Sequence, residues 1–229
     1  MLLAGEDIPG EEGRAANDLL REIARGYPAE NLGRLIHSDR MTAVASGAFV
    51  VSELGVHAAQ IIDEVDFLLS HPLRDARFDA LDAAITAVSP EHGAILAKAV
   101  MLVADADKAV RWKALRFLAN STQDQLTAAV PCLGDRHVAD LVTWLASAGS
   151  NPASLPDIHS RLRNPDKAAR MFAAAAALRV AAASRHGLED AAASDDPDVR
   201  SFAEGEIKML NFRQRLREER EQRRRDRGL

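Results

Sequence analysis

The chain has 229 residues, 28% of them charged and 47% hydrophobic, and a formal net charge of −5. That length buries a continuous core without disulfide or metal staples, and the single cysteine, Cys132, cannot form an internal bridge. No window approaches the roughly 18 uninterrupted apolar residues of a membrane span, and the run MLLAGEDIPGEEG has neither the basic nor the apolar part of a secretory leader, so a cytoplasmic location is expected.

Charge is unevenly spread. Residues 213–229 hold eight arginines against Glu218, Glu219, Glu221 and Asp226, a balance of +4, which leaves −9 for residues 1–212. An acidic body is unsuited to a duplex-binding groove, which needs a concentrated basic face, and so nucleic acid is not expected as a partner. The charge suits another protein, a basic one best.

Along the chain, residues 14–25 (Ala15, Ala16, Leu19, Leu20, Ile23) predict an amphipathic helix. From residue 37 onward a unit restarts: a polar turn, an arginine or similar residue beside a small apolar one, then a helical apolar stripe. The copies are HSDRMTAVASGAFVVSELG (37–55), HPLRDARFDALDAAITAV (71–88), DADKAVRWKALRFLA (105–119), NPDKAARMFAAAAAL (164–178) and DDPDVRSFAEGEIKML (195–210), with DRHVADLVTWLASAG (135–149) as a degenerate one. Each copy reads as two helices. In one, Val110, Ala114, Leu115 and Leu118 are followed, after a polar break, by Leu126, Ala129, Val130 and Leu133. Helix breaks are expected near residues 55, 89, 120, 150 and 184. Ser89, Asn151, Asn164 and Asp196 each precede a proline, a cap followed by a first helical residue. No segment alternates as a strand would.

The Asp, Val-Arg and Ala-rich pattern of DADKAVRWKAL and DDPDVRSFAEGEI resembles the short bacterial HEAT-like (Armadillo-type) repeats also found in phycobilin lyases. The resemblance implies an all-α, right-handed alpha-alpha superhelix: a solenoid of about five helix pairs plus terminal helices. On it, residues 1–36 are an N-terminal helical cap and 37–210 the repeats. Residues 211–229 are an Arg/Glu-rich helix extension or a disordered tail.

Chemistry is sparse. The chain has no G-x-S-x-G, no phosphate loop and no H-E-x-x-H, and its seven histidines are too widely spaced to share a helix face as ligands. Ser52 reads as helix surface, His71 and His137 as solvated loop residues, and Cys132 as a buried, inert thiol. Arg77, Arg111, Arg170 and Arg200 recur at equivalent positions near Asp75, Asp107, Asp166 and Asp198. A device present in every unit favours structure over catalysis. Trp112 falls off the core-facing stripe, with Arg111, Lys113 and Arg116 around it, the combination of interface anchors; Trp144 is the next aromatic to consider. No catalytic, cofactor-binding or metal-binding residue is expected. The reading is a non-enzymatic protein-binding module or scaffold. By resemblance it is a bacterial regulatory or toxin-neutralising immunity protein, and the alternative is a HEAT-like enzyme, a bilin lyase or a DNA glycosylase.

Overall fold

The computed structural model describes residues 11–148 and 151–226, and every regular element among them is helical. The leader reading of the first residues and the break expected near 150 fall on positions outside the described ones. The chain forms two compact units, Met1–Ser147 and Ala148–Leu229.

The first unit is a stack of helix pairs. Its longer helices are α1 (Glu11–Ala24), α3 (Met41–Glu53), α5 (Arg74–Ala87), α7 (Lys108–Asn120) and α9 (Arg136–Ala148, whose last residue passes the boundary). The shorter ones are α2 (Gly33–Ile36), α4 (Ile62–Leu69), α6 (Gly93–Met101) and α8 (Gln123–Ala129). Helices α1, α3, α5 and α7 pack each on the next to make one row, and α2, α4, α6 and α8 make the other. The second unit repeats the scheme with α10 (Leu155–Leu162) on α11 (Lys167–Val180) and α12 (His186–Ala192) on α13 (Pro197–Asp226). This is an all-α helical repeat.

Alanine sets the spacing of the long helices. Ala76, Ala80, Ala83, Ala84 and Ala87 of α5, and Ala169 with Ala173 to Ala177 of α11, are all buried. A methyl side chain lets neighbouring backbones approach, and it costs no rotamer entropy in a helix. Leu81, Val110, Leu115, Phe117 and Leu118 fill the space between the rows, each at 1% exposure or less. At one point even a methyl group is too much: a Cβ on Gly93 would meet the carbonyl oxygen of Ala128 at 2.4 Å, so α6 starts with glycine where it crosses α8.

The turns that begin the long helices share one hydrogen-bonded design, which gives the repeats a common register. The side chain of Ser38, His71, Asp105, Asn164 or Ser194 accepts a hydrogen bond from the backbone N–H two residues on. Where that second residue is Asp107, Asp166 or Asp196, it caps the first turn of the helix through its own carboxylate, as Asp135 does for α9. Six residues after the first turn residue stands the recurrent arginine. Arg77 donates to the carbonyls of His71 and Pro72, Arg111 to Asp105 and Ala106, Arg170 to Asn164 and Pro165, and Arg200 to Ser194. The same guanidinium then reaches the next repeat: Arg77 to both oxygens of Asp105 (2.7 and 3.0 Å), Arg170 to Asp196 (2.7 Å). The acids met are therefore not Asp75 or Asp166 in the arginine's own turn but the turn acids of the following copy. Arg74 to Asp107 (3.5 Å) and Lys167 to Asp198 (2.6 Å) add a second line of pairs alongside.

Two expectations change. Asp196 caps a helix whose first residue is Pro197, as its sequence suggests, but α11 is capped by Asp166, and Pro165 stays in the turn. Asn164 instead holds the turn ahead of it, its carboxamide accepting from the N–H of Asp166 at 2.9 Å. Cys132 is exposed, not buried: it closes a 3-10 turn after Pro131, past the end of α8. Of the two states expected at the C-terminal end, residues 211–226 take the helical one and continue α13.

The clamp makes a stability prediction. Arg77 and Asp105 are mostly buried (side-chain exposure 16% and 7%). Burial pushes the Asp105 carboxyl up, but the Arg77 guanidinium and the Asp107 N–H more than offset it and hold it below the usual carboxylate range. Arg77→Ala should cost about 2–4 kcal/mol, while Arg200→Ala on its exposed turn should cost under about 1 kcal/mol, both read by urea unfolding. Because the folded pKa is depressed, the Asp105 contribution is present above the unfolded pKa near 4 and lost as pH falls below it, so the gap between wild type and Arg77→Ala should shrink in acid. Equal losses for the two variants would remove the clamp from the account.

Candidate functional site

Trp112 is half-buried on α7, and the guanidinium of Arg116, one turn further on, lies 5.3 Å from its ring centroid. The other two cations expected beside it are drawn away. Arg111 holds its own turn through two carbonyls. Lys113 is 6% exposed, with its ammonium on Asp82 of α5 and 4.2 Å from the centroid of Phe78. Arg111 and Lys113 thus serve the turn and the α5 contact, and Trp112 and Arg116 are half-buried beside each other. Trp144 is half-buried on α9.

Aligning the helices on their turns exposes a regularity that spacing counted from arginines alone hides. Val44 in α3 and Ala139 in α9 stand where the other copies carry arginine. One and five residues beyond that position, a helical turn apart, come Ala45 and Phe49 in α3, Phe78 and Asp82 in α5, Trp112 and Arg116 in α7, and Asp140 and Trp144 in α9. Each of these four helices places one aromatic side chain on the same stripe, and each is half-buried or, for Phe49 at 36%, exposed. In α11 and α13 the stripe carries Met171 and Ala175, then Ser201 and Gly205. Phe49 and Phe78 were not singled out from the sequence. Α repeat register taken from the turn hydrogen bonds would have found them.

Charge on this face is acidic. Asp75, Asp79 and Asp82 lie along one side of α5, spaced four and three residues apart, and Glu53 at the end of α3 faces the same side chains. Asp75 pairs with Arg74, and Asp82 pairs with Lys113. Among the described residues, no hydrogen bond or ion pair reaches Asp79, whose carboxyl is pushed up to about 6, first by burial and then by Asp75, Asp82 and Glu53, with Lys113 pulling the other way. The slot next after the first stripe position is apolar and buried in α9, α11 and α13, as Leu141, Phe172 and Phe202, and holds half-buried Ser46 in α3. Asp79 and Lys113 occupy that slot in α5 and α7, so the stack carries two charges where α9, α11 and α13 put a hydrophobe.

The remaining sequence candidates have structural roles. Ser52 donates to the carbonyl of Phe49 within α3. His71 caps its turn, and His137 sits in the first turn of α9. Among the described residues no three His, Cys, Asp or Glu side chains converge to hold a metal ion, and no helix is long and apolar enough to cross a membrane.

No protein-family model and no curated protein matches the chain. Among solved structures it is similar to a designed armadillo repeat protein, YIII(Dq)4CqI, at 15% identity and a TM-score of 0.47, over 85% of this chain and 88% of that one.

The isolated Asp79 gives a test with a definite sign. A carboxyl whose folded pKa is raised to about 6 leaves stability intact below its unfolded pKa near 4 and reduces it as pH rises through 6. Two pKa units correspond to at most about 3 kcal/mol, and partial solvent screening brings the expected effect to about 1 kcal/mol. Asp79→Asn should therefore stabilise the protein by about 1 kcal/mol at pH 7.5 and by nothing measurable near pH 3, below the unfolded pKa. A variant less stable than wild type at pH 7.5 would mean that the carboxylate has a partner in the folded protein.

Proposed function

We propose that this chain is a non-enzymatic protein-binding module, and that the stripe through Phe49, Phe78, Trp112 and Trp144 on the first unit is its binding face. The observation that carries the reading is the aromatic on each of four successive long helices, kept at the surface while the phenylalanines Phe117, Phe172 and Phe202 are fully buried. Large aromatics are costly to leave in water and are the side chains that anchor interfaces. A basic partner fits, because Asp79, beside the stripe, has no pairing cation among the described residues while Asp75 and Asp82 are paired. The narrower reading, a HEAT-like bacterial regulatory or toxin-neutralising protein of the cytoplasm, belongs to the same proposal and rests on the sequence resemblance.

The test is a paired measurement on Trp112→Ala. Little core is removed, so its melting temperature should stay within a few degrees of wild type. Its affinity for the partner, recovered by cross-linking and identified by mass spectrometry, should fall by about 2 kcal/mol or more. Unchanged affinity with a lowered melting temperature would make Trp112 ordinary packing between repeats and remove the stripe as the binding face.

A further inference from the structure

Helix α13 begins as a repeat helix and ends as something else. Val199, Phe202, Ala203 and Glu206 are its buried residues, and they pack toward α11 and α12. From Asn211 to Arg225 every residue is exposed save half-exposed Leu216, a length of about 22 Å at 1.5 Å per residue. Asn211 and Gln214 are tied to Arg185 at 2.7 and 3.2 Å, and Gln214 also donates to Glu218.

At 100° per residue, Arg213, Arg217, Arg220 and Arg224 fall within an arc of about 60°, one per turn, with Glu221 about 40° beyond its edge and Glu218 and Glu219 on the other sides. This row continues the side of α13 that is buried from Val199 to Glu206. Despite the acids in the segment, no ion pair joins its arginines and glutamates among the described residues. Every cation from 213 onward is arginine, whose planar guanidinium binds a phosphate through two parallel hydrogen bonds.

We propose that the exposed half of α13 docks on double-stranded DNA at the major groove, with Arg213, Arg217, Arg220 and Arg224 on backbone phosphates. A helix about 10–12 Å across fits a groove about 12 Å wide, whereas the deep, narrow groove of duplex RNA does not admit it. A membrane surface fits less well, because the apolar neighbours of the row, Met209, Phe212 and Leu216, stop before Arg217. A protein surface fits less well too, because beyond Leu216 the helix has no apolar anchor among the described residues. Contacts are to the backbone, so binding does not depend on base sequence, and the acidic remainder of the chain keeps it local to this helix. The inference is independent of the aromatic stripe.

The experiment is fluorescence anisotropy of the full chain with a mixed-sequence duplex of about 20 base pairs, across a salt series. Four phosphate contacts give a slope of log K against log salt near −3.6, roughly a hundredfold loss between 50 and 200 mM salt. Arg217→Gln with Arg220→Gln should make the slope shallower by about two units, Arg217→Lys with Arg220→Lys should restore it, and circular dichroism should show the helix kept in both. Arg215→Gln, off the row, should change little. A slope unmoved by the glutamine pair, no binding at about 50 mM salt, or tighter binding to duplex RNA, to polyglutamate or to phosphatidylserine vesicles would each overturn the proposal.

Discussion

The arginine in the first turns of α5, α7, α11 and α13, which reaches back to the turn before its helix, is the contact on which these repeats depend. A tight turn leaves carbonyl oxygens pointing outward without helical partners, and a stack of such turns leaves them at every level. One guanidinium, with five N–H donors, closes two of these carbonyls in its own turn and an aspartate of the next. Local and inter-repeat order are then set by one side chain. Pairs mostly withdrawn from water gain more from such geometry than exposed pairs and lose more when one member is removed. Α recurrent charge is thereby explained without any role in binding.

Satisfying the turns this way leaves the helix faces open to variation. On the buried side they converge on alanine, because row spacing is fixed by backbone approach, and α11 shows the limit with five consecutive alanines buried. On the other side the copies diverge: aromatics and charges on α3, α5, α7 and α9, small residues in α13. Asp79 and Lys113 show the divergence reaching the edge of the core, where Lys113 is neutralised by Asp82 and the Phe78 ring while Asp79 stays unpaired. An unneutralised, half-buried carboxylate reduces stability near neutral pH, and a cation brought by a partner would relieve that cost.

Much of the fold was legible because its signals are local and repeated. Helical spacing of Val110, Ala114 and Leu118, and polar breaks such as Asn120 to Gln123, mark elements that form where they were expected; that break holds a capping box between Thr122 and Gln125. Exposure was harder to read. Cys132 sits among apolar neighbours in the chain but at the end of a short helix in space. Lys113 follows Trp112 by one residue, or 100° around the helix, which is enough to turn it into the α5–α7 contact. Phe49 and Phe78 escaped notice because the arginine that marks the register is missing from α3, and the aromatic shifts by one turn between copies.

The central claim is that the turns hold the stack while the aromatic stripe meets a partner. Hydroxyl-radical footprinting of the free and partner-bound protein tests it most directly, since it reads the exposure of each aromatic side chain. Phe49, Phe78, Trp112 and Trp144 should lose reactivity together on binding, while Tyr27, Phe67 and Phe212, exposed elsewhere, keep theirs. Protection at Tyr27 or Phe67 with the four stripe residues unchanged would contradict the account.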